Sequence, residues 1–226
     1  MQKTVDVLTL RHIDIYQISH LLVMHSSLLD FLSYFLALFY TFVAFFYAVI
    51  INRHQKAAEK TTFVHTGARF SLHWWNHLTF RLFRVAIWFV CLIRIPFPSV
   101  NDFIGSFYWQ SVYPYLIGGL MLMSGFTIAI LTNLQMNKAW RSGIDQNNTS
   151  ELITQGLFAR SRNPAYIGVA FAQIGFFLAL PSIFSTICLI VGLTALRIQV
   201  MLEEQHLKQT FGTQYVVYKQ NVPRWL

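Results

Sequence analysis

An all-α, polytopic membrane protein of about five helices is what this sequence predicts, on three observations. Hydrophobic residues are 55% and charged residues 12% of 226, with 21 Phe, which is too apolar and aromatic for an ordinary soluble domain. Apolar runs near the roughly 20 residues that cross a bilayer fall at 28–51, 78–95 and 107–134. Two shorter runs, 166–180 and 183–199, are joined at Pro181-Ser182, so the second must double back beside the first as a C-terminal hairpin. The chain reads as one integral membrane domain over 1–226: an N-terminal segment 1–27, three spans within 28–134, and a distinct region 151–226.

Residues 1–27 mix polar and apolar types as an amphipathic surface segment does, without the charged start and small-residue cleavage site of a signal peptide. The first span, 28–51, is dense in Phe and Tyr, as suits a lipid-facing, packed helix. His73-Trp74-Trp75-Asn76-His77 precedes the second span. His73 and His77 have the i, i+4 spacing of a metal pair, but two ligands do not make a site and no Glu stands beside them, so the segment reads as an interfacial aromatic belt and no metal is expected. Arg81 and Arg84 lie one turn apart, placed either to snorkel toward headgroups or to meet an acidic substrate. Pro96 and Pro98 end that helix. In the third span Gly118, Gly119 and Gly125 allow close helix approach, and the polar stretch 142–150 is a loop. Cys91 and Cys188 fall in apolar runs and behave as small hydrophobes, with no disulfide expected.

The net charge of +8 sits in particular loops rather than in one stripe, so it describes topology and not nucleic-acid binding. Arg53, Lys56, Lys60 and Arg69 follow the first span, and Lys138, Arg141, Arg160 and Arg162 follow the third, whereas 96–106 and the hairpin tip carry no Lys or Arg. By the positive-inside rule the basic loops and the C-terminus face the cytoplasm, in a bacterial inner membrane or the endoplasmic reticulum.

The hairpin brings Arg162, before its first arm, to the same end as Glu203, after its second. Two readings of these charges are open: a mutual salt bridge that fixes the hairpin, or a ligand site, since ionisable groups beside lipid need partners or a ligand.

An ordered set of residues surrounds them: Leu152-Ile153-Thr154-Gln155-Gly156-Leu157-Phe158, Arg162-Asn163-Pro164-Ala165-Tyr166-Ile167-Gly168, the hairpin, Glu203-Glu204, then Phe211-Gly212-Thr213-Gln214-Tyr215-Val216-Val217-Tyr218 and Val222-Pro223-Arg224. This set resembles the isoprenylcysteine carboxyl methyltransferases and their phospholipid methyltransferase relatives, over about the last third of the chain. The resemblance implies S-adenosyl-L-methionine as methyl donor, bound in a cytoplasmic-side pocket made by the hairpin and C-terminal segment. Cofactor-binding roles would fall to Arg162, Asn163, Pro164, Tyr166, Gly168, Glu204, Tyr215 and Tyr218, and catalytic roles to Glu203, Glu204 and Arg197. Such a donor asks for hydrogen-bond donors, acceptors and apolar walls together, which Arg, Asn, Glu, Tyr and Phe supply.

Two positions depart from the family pattern. Asn163 stands where His is frequent, and Gln199 and Met201 stand where Arg is frequent before the Glu pair, which leaves Arg197 to reach from one to two turns away or makes the substrate different. Ordinary helix packing and a turn would also explain Tyr166, Gly168, Phe211, Gly212, Tyr215 and Tyr218, a helix start would explain Pro164, and a headgroup anchor beside Trp225 would explain Arg224.

The expected partners are membrane lipids and a lipophilic or lipid-modified acceptor, with a phospholipid amine or small thiol as the alternative. From other classes, an NADPH-dependent sterol-type reductase or a non-catalytic membrane protein would share the architecture.

Overall fold

The computed structural model describes residues 27–50, 52, 64–65, 68–136, 142–143 and 152–226. The amphipathic segment expected over 1–27 therefore lies outside the described residues, Ser27 excepted, as does most of the 142–150 loop. Seven helices are described: α1 (Ser27–Ile50), α2 (Leu72–Ile93), α3 (Val100–Phe103), α4 (Tyr113–Met136), α5 (Pro164–Ala179), α6 (Ile183–Phe211) and α7 (Thr213–Asn221). The described part is otherwise irregular, apart from a 3₁₀ turn at Gly156–Ala159 and a two-residue parallel pairing of Val64–His65 (β1) with Ser142–Gly143 (β2).

Four of these helices, α1, α2, α4 and α6, are long and apolar enough to cross a membrane, and α5 is a shorter apolar helix. The five elements expected from hydropathy are all present, with shifted ends. α2 starts at Leu72 rather than 78, because Ser71 caps it and accepts the Trp74 N–H at 3.1 Å. The belt-like His73–His77 stretch is thus helical. α4 starts at Tyr113 rather than 107, because residues 107–109 are recruited by the hairpin tip: Phe107 N–H donates to the Pro181 carbonyl at 3.0 Å and the Trp109 indole to the Leu178 carbonyl at 3.0 Å. The second hairpin arm, expected to end at 199, runs on to Phe211.

The tightest pairing is the antiparallel contact of α4 with α5. A Cβ placed on Gly118 would lie 2.8 Å from the Gly175 carbonyl and one on Gly175 would lie 2.6 Å from the Gly118 carbonyl; Gly125 and Gly168 face each other in the same way one step along. Backbones meet there as they do at small-residue membrane interfaces. Gly119, expected to share this role, points elsewhere: its Cβ would meet only Phe35, at 3.9 Å.

The core lies between α1, α2, α4 and the hairpin, around Leu36, Cys91, Leu122, Phe176 and Cys188. Both cysteines are free and buried in it. Rings of Phe39, Phe42, Phe46 and Tyr47 on α1 all meet Phe126 of α4, and Tyr40 meets Phe176 edge-on at 5.4 Å. The hairpin turns at a capping box in which Ser182 Oγ accepts the Ser185 N–H at 3.0 Å and Ser185 Oγ accepts the Ser182 N–H at 3.1 Å.

Candidate functional site

The motif half of the chain converges because three backbone decisions bring it together. Pro164 opens α5 at its first turn, where a missing N–H costs nothing. α6 has 29 residues against the 16 of α5, so at about 1.5 Å per residue it overshoots the start of α5 by roughly 20 Å. Gly212, at φ +51, then reverses the chain, and α7 carries the C-terminus back onto residues 158–163. The return is fastened by Arg162 N–H to the Pro223 carbonyl at 3.0 Å, Ser161 Oγ to the Arg224 carbonyl at 3.1 Å, and Tyr218 hydroxyl to the Phe158 carbonyl at 2.7 Å. Burial pushes the Tyr218 phenol up to about 12, so it remains the donor in that bond.

Within this fold Glu204 is the centre of a buried charge cluster. Arg224 forks on it, Nε to Oε1 at 3.0 Å and Nη2 to Oε2 at 2.9 Å. Arg162 Nη1 lies 3.4 Å from Oε2, and Asn163 Nδ2 donates to Oε1 at 3.2 Å. Tyr215, fully buried, accepts from Arg162 Nη1 at 3.4 Å. Two guanidiniums against one carboxylate leave one positive charge in excess. The Nε of Arg162 is buried and has no acceptor, so the cluster presents both a surplus charge and an unused donor. The same Glu204 contact raises the already high pKa of Arg224, which is charged throughout.

The mutual Arg162–Glu203 salt bridge that the hairpin geometry suggested is not formed: Arg162 pairs with Glu204. Successive helical residues point about 100° apart, and Glu203 faces the other way, into the bundle. There it accepts from the Tyr166 hydroxyl and from Gln199 Nε2 at 3.0 Å, and Gln199 Oε1 accepts from Asn76 Nδ2 of α2 at 3.0 Å. This line of polar groups, Asn76–Gln199–Glu203–Tyr166, crosses from α2 through α6 to α5. Asn76 and Gln199 were not singled out as site residues from the sequence, although a polar residue at the edge of an apolar run was a usable signal.

The remaining predicted residues are distributed. Gly168 sits in the α4–α5 seam, against Gly125. Arg197 is exposed, without a hydrogen-bond or ion-pair partner among the described residues, and lines a 640 Å³ groove between α5 and α6. The groove walls are apolar, with Ile167, Phe171, Ile174 and Leu193, and Arg224 and Trp225 stand among its lining residues. Arg84 rests over the Tyr47 ring at 5.5 Å. His73 and His77 stack at 4.6 Å, and among the described residues no group of three His, Cys, Asp or Glu comes together.

Residues 113–214 match the family model described as phospholipid methyltransferase. The matched segment takes in the motif from Leu152 to Gln214, including Arg162, Asn163, Glu203 and Glu204, and adds α4 to it, while Tyr215, Tyr218 and Arg224 lie beyond the matched segment. No curated protein and no solved structure matches the chain.

Proposed function

We propose, from a membrane-embedded chain whose α4–α6 segment is similar to phospholipid methyltransferases, that the protein transfers a methyl group from S-adenosyl-L-methionine to a lipid held in the α5–α6 groove. The observation that carries this reading is Arg224, which forks on Glu204 of the charge cluster and also lines the apolar groove. A charged donor site and a lipophilic acceptor site would then share one wall.

The cluster suits the donor's amino-acid end. Arg162 Nε, buried and without an acceptor, and the surplus positive charge fit a carboxylate, while Glu204, Asn163 and the Tyr215 hydroxyl supply acceptors for ammonium or ribose groups. When bound, the donor supplies an electrophilic methyl whose loss leaves a neutral thioether. The protein's part is chiefly positioning: the fixed Arg162–Glu204–Arg224 frame orients the donor, and the groove excludes water from the acceptor. Arg197, unpaired at the groove, is suited to an anionic group of the acceptor lipid, a phosphate or a carboxylate.

An amine acceptor reacts as the free base, having lost a proton to water before it enters the groove, and its product keeps the positive charge that the donor gives up; Glu203, turned toward Tyr166 and Gln199, does not line that groove. The family match favours this phospholipid amine over a prenylated carboxylate. With the basic loops inside, both sites face the cytoplasm.

The test is calorimetric titration of S-adenosyl-L-methionine into purified protein, followed by methyl-labelling of a lipid extract. Saturable donor binding and an alkali-stable label on a phospholipid are expected. An alkali-labile methyl ester would instead indicate a carboxylate acceptor, and absence of donor binding by folded protein would overturn the reading.

A further inference from the structure

The end of the bundle opposite the Glu204 cluster holds a second cavity, of 200 Å³, which methyl transfer does not use. The start of α1, the C-terminus of α2, the segment before α4 and the hairpin tip enclose it. Arg94, at the C-cap of α2, is held at its edge: Nε donates to Asn101 Oδ1 at 2.6 Å and Nη2 to Ser33 Oγ at 3.4 Å. The third nitrogen, Nη1, is buried and has no acceptor, and the hydroxyl of Ser106, a residue that lines the same cavity, is buried and has no partner either. Buried polar groups left unpaired are costly and uncommon, and here two of them share one cavity.

Asp30 also lines this cavity and forms no ion pair with Arg94. A simple anion drawn to Arg94 would meet repulsion from Asp30, and a simple cation the reverse. A ligand carrying both charges a few ångströms apart satisfies both groups, and the aromatic rings of Phe107 and Tyr108 beside them suit its cationic end.

We propose that this cavity binds a zwitterionic phosphate–ammonium group, with phosphate oxygens accepting from Arg94 Nη1 and Ser106 Oγ and the ammonium facing Asp30. The chemistry is shared by the headgroup of a membrane phospholipid and by the free headgroup ester. By the charge of the loops it lies at the face away from the cytoplasm, so it is a separate site and not the acceptor groove. It does not depend on the methyltransferase reading.

The test is retention of phosphatidylethanolamine against phosphatidylglycerol by the full-length protein, read by native mass spectrometry, with glycerophosphoethanolamine as soluble competitor. Ser106→Ala removes a hydroxyl that has no partner in the fold, so its melting temperature should match or exceed the native value. The variant should nonetheless retain one phosphatidylethanolamine molecule fewer than the native protein at a given lipid concentration, an affinity loss of about tenfold at this site alone, and Asp30→Asn should erase that molecule's preference over phosphatidylglycerol. Competition by glycerophosphoethanolamine would show that the headgroup alone suffices, and its failure that the acyl chains are needed; both outcomes keep the site. An unchanged number of retained phosphatidylethanolamine molecules in both variants would overturn it. Because Asn163 and Glu204 are untouched, donor binding should be native in both variants, which separates failure here from failure of the methyltransferase reading.

Discussion

Glu203 and Glu204 are neighbours in the chain and strangers in the fold. Glu204 is tied to two guanidiniums and an amide, and Glu203 to a phenol and an amide in the bundle interior. Substitutions should therefore separate them. Glu204→Gln leaves Arg162 and Arg224 facing one another without a counter-charge, and donor affinity should fall by at least about tenfold, the scale of one lost charge-assisted hydrogen bond. Asn163→Ala removes a donor to Glu204 and to the Arg224 carbonyl and should act in the same direction, both measured by calorimetry. Tyr166→Phe deletes only a donor to Glu203. It should keep the donor affinity, at a stability cost of about 1–3 kcal/mol. Equal loss of donor binding in all three variants would contradict the division into two networks.

Among the elements, α4 and α5 set the position of everything else, because Arg162 and Asn163 hang from the start of α5. Their seam depends on Gly118, Gly125, Gly168 and Gly175, where an added Cβ has no room, and not on Gly119, where it has. Gly125→Ala should destabilise by about 1–3 kcal/mol, the usual range for overpacking. Gly119→Ala should be neutral or stabilising by up to about 1 kcal/mol through helix propensity, with both read from thermal unfolding in detergent. For Gly168 the contacts argue for packing. Gly168→Ala is then expected to lose stability, and any donor binding that remains in the folded fraction should have native affinity.

The whole molecule places a charged cluster and an apolar groove on one wall and a small polar cavity at the other end. Narrowing the groove tests the first arrangement without touching the cluster. Phe171→Trp, with Phe171 half exposed in the groove wall, should raise KM for the lipid several-fold, while donor affinity stays native, as expected where ground-state binding alone is lost. An unchanged KM would move the acceptor elsewhere.

Hydropathy and an ordered motif are properties of the chain itself, so the number of apolar helices, the hairpin at Pro181-Ser182 and the likeness to membrane methyltransferases were legible before any fold was known. The bilayer's thickness and the need to satisfy backbone hydrogen bonds leave few other solutions for such runs. Element ends were less so: Ser71 and the hairpin tip move the starts of α2 and α4 through individual hydrogen bonds. Which carboxylate meets Arg162, what Arg224 holds, and that Asn76 reaches Gln199 across 123 positions depended on tertiary structure alone. Those partners are fixed by the rotation of α6 about its axis and by the reversal at Gly212, and neither is encoded in hydropathy or in the spacing of a motif.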